Sequence, residues 1–406
     1  MLHRTRVAVV AMGMAAQLAA APAAQSQEVV NALDFGLAPC QAEGCDPAEP
    51  SQTEALHAAM RYFFDQGMPG TVYIPAGTYA IGESLRFHAG VNLVGDGMGE
   101  TIPKKVGTSS GYVVGNPVLH PGSTALNLTV TDLTFDADRA RRAAWELPQV
   151  GCLNIDADAS HLTLERIGAR DSTNAMILRR LKESVIADSH IDGKTGHGIA
   201  TGQEGLPVGE FHNVIIENNL ITNSTGGAGI NLSRAAYTSV RGNRIVNEAQ
   251  QEDTYGGIRI PNGGEFNVVS GNLVQGYPRG LFVLSRAHSN MFRDNLVIDS
   301  RVHGMLIQAE NNMVVNNLFR QLDPALNPEA VIRLASDSNQ NASGNHVLHN
   351  LIETHDAFSN IGIRVTGFAA PANDNRIVNN RIETLGVLVS VEGSGTGNVV
   401  EANRAP

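Results

Sequence analysis

The sequence predicts an all-β protein, a single-stranded right-handed parallel β-helix with an N-terminal capping helix. The second half repeats one unit of glycine, a short apolar strand, a polar corner and a second strand, as in "GIRIPNGGEFNVVSGNLVQG" and "GLFVLSRAHSNMFRDNLVID". One asparagine closes each unit, and neighbouring copies are 22 to 33 residues apart: Asn219, Asn243, Asn272, Asn295, Asn317, Asn350, Asn380 and Asn403. A repeat of this period indicates a solenoid.

Strands this short cannot bury an apolar face alone, so successive coils must stack and share one core. The apolar residues that follow each glycine, such as Ile258 and Ile260, are then expected to form internal files. The asparagines have two compatible interpretations. Their amides can bond from coil to coil in a ladder, or they can be turn residues that tolerate a left-handed backbone.

The segment "SQTEALHAAMRYFFDQG" predicts an amphipathic helix that covers the open N-terminal end of the solenoid. Ser51 and Glu54 have the spacing of a capping box. Leu56, Met60 and Phe63 share one face. We expect the domain to span 27–406, with a cap over about 31–70.

The first 26 residues predict a cleaved secretory signal peptide, because Arg4 and Arg6 precede an apolar run and a small-residue stretch. A secreted or periplasmic protein is therefore expected, in which Cys40 and Cys45 can form a local disulfide. No later segment is apolar enough to span a membrane. The formal net charge is −11, or −13 without those two arginines, which argues against a nucleic-acid partner.

The stretch "GTVYIPAGTYAIGESLRFHAGVNLVGDGMGET", with "VTDLTFDADR" and "HLTLERIGARDS", resembles the pectate-lyase-like β-helix superfamily, and most closely the catalytic modules of alginate C5-epimerases. The resemblance implies a carbohydrate-active enzyme with a polysaccharide substrate. The epimerase motif is replaced here by "NAMILRR". Ile177 stands where those enzymes keep an acid, Arg179 where they keep a histidine, and Asn174 where they keep a tyrosine.

Chemistry on a uronic acid sugar needs a cation for the carboxylate, a base for the C5 proton and an acid for the leaving oxygen. Outward positions on consecutive coils offer such groups. The predicted catalytic residues are Arg179, His197, Tyr255 and Arg259. The predicted substrate-binding residues are Lys194, Asn231, Arg279 and His303. Arg179 is expected within a few ångströms of His197 and is assigned to the carboxylate.

The favoured function is a polysaccharide lyase that cleaves an alginate-like or pectate-like polymer by β-elimination. Three alternatives stay open: a C5-epimerase of the same substrates, a glycosidase or fructan-type transferase, and a non-catalytic glycan-binding β-helix. A hydrolase would depend on Glu204, Glu252 and Asp253, because it needs two carboxylates.

No cofactor and no metal ligand are assigned. Ca²⁺ is kept as an alternative, since alternating acids on strands can offer oxygen ligands. The four acids concerned are Asp136, Asp138, Asp156 and Asp158.

Overall fold

A computed structural model describes residues 27–41, 45–202, 205–247 and 253–405. These residues form a parallel β-helix, which confirms the predicted fold class. A sheet of ten short strands runs along one face, and each strand pairs in parallel with the strand one coil away. Its strands are Leu153–Ile155, Met176–Leu178, Ile199–Thr201, Ile230–Asn231, Gly256–Ile260, Arg279–His288, His303–Glu310, Ala330–Ser336, Ile361–Gly367 and Val389–Gly393.

The other faces belong to a 27-stranded sheet. Its strands are Val29–Asn31, Gly70–Ile74, Gly77–Ile81, Val91–Gly95, Thr101–Lys105, Ala125–Asp136, Ala159–Ser172, Leu181–Lys182, Val185–Ala187, His190–Lys194, Phe211–His212, Ile215–Glu217, Leu220–Thr222, Ala235–Ala236, Ser239–Arg241, Arg244–Val246, Val268–Ser270, Leu273–Gln275, Met291–Arg293, Leu296–Ile298, Met313–Val315, Leu318–Gln321, His346–Leu348, Leu351–Thr354, Arg376–Val378, Arg381–Ile382 and Val399–Glu401.

The predicted asparagines form one continuous ladder inside the solenoid. Asn295 is typical: its Nδ2 donates to Asn317 Oδ1 at 2.9 Å and to the Val269 carbonyl at 2.9 Å. Its own Oδ1 accepts from both the backbone N–H and the Nδ2 of Asn272. Each amide therefore satisfies buried polar groups on the coils around it.

A second ladder, which the sequence analysis missed, runs beside the first. Its members are Asn267, Asn290, Asn312, Asn345, Asn375 and Asn398. Their sequence spacing matches that of the first ladder, so the same repeat signal could have found them.

The left-handed backbone lies one residue before each ladder asparagine, and not at the asparagine itself. Asn218, Asp294, Asn316 and Asn379 have φ between 54° and 57° and directly precede Asn219, Asn295, Asn317 and Asn380. The turn-former interpretation of the ladder asparagines was therefore wrong. At each of these corners, the residue with positive φ makes the bend, and the asparagine that follows it bonds to the neighbouring coils.

The glycine that opens each unit is explained by core packing. A Cβ on Gly257 would lie 2.2 Å from Val274 Cγ1, and a Cβ on Gly280 would lie 2.2 Å from Val297 Cγ1. The inward side of these positions is already filled by an aliphatic side chain. The residue just before each glycine consequently faces outward.

The predicted cap helix is present, but the predicted capping box is not. A helix spans Thr53–Phe64, and Leu56, Ala59, Met60 and Phe63 are fully buried. Its N-cap is Gln52, without a side-chain bond, and Glu54 pairs with Arg61 instead of closing a capping box. The first strand is followed by a 3-10 helix, Ala32–Phe35, and a short α-helix spans Arg139–Ala144.

The sequence also predicts a disulfide and a signal peptide. Cys40 and Cys45 form the predicted disulfide. The predicted signal peptide lies outside the described residues. In the part of the chain that the structure describes, no helix has both the length and the hydropathy needed to cross a membrane.

We expect Asn295→Ala to lower the free energy of unfolding by roughly 2–5 kcal/mol, because it leaves several buried donors and acceptors without partners. The matched control is Asn339→Ala in an exposed loop, which we expect to change it by less than about 0.5 kcal/mol. Urea unfolding of both variants measures the difference. Equal midpoints for the two variants would show that the ladder does not stabilise the fold.

Candidate functional site

Two outward-facing files of side chains line the ten-stranded sheet. The first follows the strand centres through Asn231, Arg259, Phe282, Leu306, Arg333 and Arg364. The second lies just before the opening glycines, where Gly256 pairs with Arg279 and Arg279 pairs with His303. These registers agree with the files that the sequence predicts, except at Arg179. We call this surface, from Asn174 to Arg364, the basic face.

Arg259 and Arg279 are the central cations of the basic face. Both guanidinium groups lie over the Phe282 ring, with Cζ 5.7 Å and 4.8 Å from its centroid. Burial lowers the pKa of both side chains, and burial together with the neighbouring arginines lowers that of Arg279 to about 10. In the described chain neither forms an ion pair with a carboxylate, and both Nε atoms are buried without a partner.

Tyr255 and His197 extend this cluster toward the N-terminal coils. The two rings meet edge to face at 5.2 Å, and Arg259 lies 5.1 Å from the Tyr255 ring centroid. His197 Nδ1 accepts a hydrogen bond from the Ala228 N–H at 3.0 Å. Burial lowers the pKa of His197 to about 4, so the ring is neutral near pH 7. A neutral ring with an accepting Nδ1 carries its proton on Nε2, which makes His197 a donor.

His303 has the opposite tautomer. Its Nδ1 lies 2.8 Å from the carbonyl of Ala330, an atom that can only accept, so Nδ1 carries the proton. Burial lowers the pKa of His303 to about 4. Its Nε2 therefore holds a free lone pair at neutral pH, one coil away from Arg279. This geometry suits a base.

Asn231 and Lys194 are both held by other groups of the protein. Asn231 is 7% exposed, and its Oδ1 accepts from Arg259 at 3.3 Å, so it orients that guanidinium. Lys194 is fully buried, and its Nζ donates to the carbonyls of Gly196 and Gly226. The prediction that Lys194 contacts substrate is wrong, because the ammonium is buried in the solenoid, where it bonds to backbone carbonyls of two neighbouring coils.

Arg179 also lies elsewhere than predicted. Ile177, and not Arg179, pairs with Ala200, so Arg179 lies two residues beyond the central file. Asn174 Oδ1 accepts from the His197 N–H, so Asn174 is the residue level with His197, and Arg179 lies five residues further along the chain. Arg179 Nη1 donates to Asp156 at 2.7 Å. It is thus engaged by a carboxylate, which it shares with Arg180.

The carboxylates are arranged less regularly than the cations. Asp253 lies beside the cluster, where it accepts from the backbone N–H groups of Gly227 and Tyr255. Glu329 pairs with Arg333 and Arg364 at the C-terminal part of the basic face. Glu204 and Glu252, the other acids named for a hydrolase, lie outside the described residues.

The acids considered for Ca²⁺ already have cationic partners. Lys104 Nζ lies 3.0 Å from Asp138 and 3.6 Å from Asp136, and Arg170 also pairs with Asp136. Asp156 pairs with Arg179, and Asp158 pairs with Lys182. A divalent cation at either place would have to displace these groups. Asp136 and Asp138 also lie close to Asp171, and the three carboxylates each place an oxygen within 4.8 Å of the others.

Comparison with known protein families shows which family the chain belongs to. The model described as "Rhamnogalacturonase A/epimerase, pectate lyase-like" matches residues 29–259, more than half of the sequence. The chain belongs to this family. The family match covers the capped end and the coils up to Arg259. A second model, "Periplasmic copper-binding protein (NosD)", matches residues 246–399.

Curated relatives of this family member include two mannuronan C5-epimerases of Azotobacter vinelandii. AlgE3 is 30% identical over 183 residues, which cover 41% of this chain and 9% of that protein. AlgE1 is 28% identical over 237 residues, which cover 51% of this chain and 16% of that protein. The chain thus spans a small part of the length of these relatives.

Solved structures agree on the fold. The A-module of mannuronan C-5 epimerase AlgE6 from Azotobacter vinelandii has a TM-score of 0.57 at 17% identity and covers 93% of this chain and 99% of that one. A DFA-IIIase from Arthrobacter chlorophenolicus has a TM-score of 0.65 at 15% identity, with 91% and 99% coverage. At such identities the likeness concerns architecture alone.

The lowered pKa of His303 predicts a pH-dependent stability. The unfolded chain keeps the ordinary value of 6.5, so between pH 6.5 and 4 it binds a proton that the native protein does not. The free energy of unfolding should therefore fall as the pH is lowered through this window. His303→Gln should reduce the fall by up to about 3 kcal/mol.

Urea midpoints at pH 7 and pH 4.2 measure this effect. The control is His349→Gln at an exposed corner, which shows whether the loss of any histidine has the same effect. Part of the wild-type dependence should survive in His303→Gln, because His57 and His197 also have a pKa lowered to about 4. An unchanged difference between the two pH values in His303→Gln would contradict the assignment.

Proposed function

We propose that this protein is a polysaccharide lyase that cleaves a uronic-acid-containing polymer by β-elimination on the basic face. One observation carries the proposal. Arg259 and Arg279 hold two positive charges on neighbouring coils without an ion pair among the described residues, in a chain whose formal net charge is −11. A partly buried, unpaired guanidinium is costly, and a bound carboxylate relieves that cost.

The arrangement around Arg279 supplies the three groups that elimination needs. Arg279 binds the sugar carboxylate and makes the C5 proton acidic. His303 lies one coil away, and its Nε2 takes that proton. The electron pair forms the C4–C5 double bond while the C4–O bond breaks, and Tyr255 donates its phenolic proton to the leaving oxygen.

Arg259 and His197 complete this assignment as binding groups. The Arg259 guanidinium, held by Asn231, adds a second donor fork for the same or the neighbouring carboxylate. His197 offers Nε2–H to a sugar oxygen, because its Nδ1 is occupied by the Ala228 N–H. Arg179 is left out of the chemistry, since it lies off the central file and its Nη1 is engaged by Asp156.

C5-epimerisation of the same polymer is the second candidate, and the similarity to two mannuronan C5-epimerases favours it. Both reactions begin with removal of the C5 proton. An epimerase returns a proton to the opposite face of C5, whereas a lyase expels the O4 oxygen. The two proposals therefore share residues and differ in product.

We also propose that the protein works outside the cytoplasm. The Cys40–Cys45 disulfide supports this, because disulfides form and persist in oxidising compartments. The N-terminal signal predicted from the sequence and the partial match to a periplasmic family point the same way.

Incubation with alginate, polygalacturonate and rhamnogalacturonan in D₂O separates the functions. A lyase should give an unsaturated, ultraviolet-absorbing product, and an epimerase should give deuterium at C5 without chain cleavage. Reducing ends without ultraviolet absorbance would indicate a hydrolase. The absence of all three signals on every polymer would contradict an enzymatic role on these substrates.

We expect Arg279→Lys to lower kcat/KM by about 100-fold or more, because lysine keeps the charge but loses the planar fork. His303→Gln should abolish most turnover by removing the basic nitrogen. The matched control is Arg293→Lys, an exposed arginine on the other sheet that pairs with Asp294. Near-wild-type turnover in both Arg279→Lys and His303→Gln would exclude the basic face as the active site.

A further inference from the structure

The left-handed corner before the second asparagine ladder carries two residues of an unexpected type. Residues of this corner file have φ between 46° and 72° on every described coil from Asn127 to Gly397. The file runs Asn127, His161, Glu183, Asn213, Tyr237, Phe266, Ser289, Asn311, Gly344, Asp374 and Gly397. Asparagine, aspartate and glycine tolerate this backbone, whereas a bulky aromatic residue there is an outlier.

Tyr237 and Phe266 occupy this costly position on two consecutive coils, with φ of 51° and 54°. Their rings stack in parallel, 5.2 Å apart and tilted by only 10°. They gain little burial in return, since Tyr237 is 59% exposed and Phe266 is 44% exposed. Bulky residues held in an unfavourable backbone conformation with little burial are typical of a functional site.

A hollow of about 530 Å³ lies beside this pair, and the preceding coil supplies most of its lining. It is lined by Tyr237 together with Val208, His212, Asn213 and Glu265. Phe266 covers one face of the Tyr237 ring, and the hollow borders Tyr237 but not Phe266. His212 Nδ1 contacts the Gly209 carbonyl at 2.6 Å, which leaves its Nε2 available to a ligand.

We infer that Tyr237 and Phe266 form an accessory sugar-binding platform, on which one ring of the polysaccharide stacks outside the basic face. A flat aromatic face complements the C–H groups on one side of a pyranose. The imidazole of His212, the amide of Asn213 and the carboxylate of Glu265 can form hydrogen bonds with the hydroxyl groups of the sugar. The hollow is within the range of small-ligand sites. Only the choice of a polysaccharide as ligand rests on the proposed function.

The platform lies on a different sheet from the basic face. Tyr237 follows the strand Ala235–Ala236 of the 27-stranded sheet, whereas Arg259 is part of the ten-stranded sheet. Substitutions in the platform and in the basic face should therefore have separable effects.

The test is the double variant Tyr237→Asn/Phe266→Asn, in which each corner receives a residue that tolerates its backbone. Retardation is measured in native gels that contain alginate, polygalacturonate or rhamnogalacturonan. Wild type should be retarded by at least one polymer, and the double variant should bind that polymer roughly three- to tenfold more weakly, as expected for loss of an aromatic stacking contact. Its unfolding midpoint should be unchanged or higher, because the left-handed corners are relieved.

Two controls keep this result interpretable. Phe368→Asn removes another exposed aromatic, 66% accessible, and should leave retardation unchanged. Arg279→Lys should lose turnover while the platform contribution to retardation persists, so failure of the catalytic proposal and failure of the platform are distinguishable.

Four outcomes would overturn the inference, and retardation and unfolding detect the first three. They are equal retardation of the double variant and wild type, a fall in the unfolding midpoint of the double variant, and no retardation of wild type by any polymer. Sedimentation of wild type and the double variant detects a fourth. A wild-type dimer that dissociates on substitution would make the pair an interface between two copies.

Discussion

The fold depends on the way that each coil turns its corners. A bend of this tightness leaves backbone groups inside the solenoid that no strand can pair. The ladders solve this problem because an asparagine amide both donates and accepts, and Asn272, Asn295 and Asn317 connect to one another through the same pair of bonds. The residue before each asparagine makes the bend, so the asparagine itself is free to bridge coils. The register of the basic-face strands from Ile230–Asn231 onward follows from this arrangement.

The sequence predicted the parts of the structure that repeat. Asparagine spacing identified the coils. The glycine that opens each unit marked a position whose inward side has no room for a side chain, and the residue before it faces outward. Arg259, Arg279 and His303 were found in this way, because their positions follow from the register alone. Their lowered pKa values could not have been predicted, since burial depends on which neighbours fold over each side chain.

The errors arose where the repeat is weakest. Arg179 lies in an early coil with no asparagine ladder on its corner, so its alignment by motif was displaced by two residues. Its partner Asp156 is 23 residues earlier, and nothing in the local sequence marks that pairing. Lys194 was mistaken for a surface cation because a buried ammonium is rare. Only the three-dimensional position of the Gly196 and Gly226 carbonyls explains its burial.

The spacing of the ladder asparagines has a consequence for how such a protein can change over time. Coil length varies from 22 to 33 residues along the ladder, yet the amide bonds between neighbouring asparagines stay between 2.9 and 3.0 Å. Extra residues are therefore accommodated in the connections between strands without disturbing the stack. Lengthening one loop beside the basic face would therefore leave the remaining coils in register.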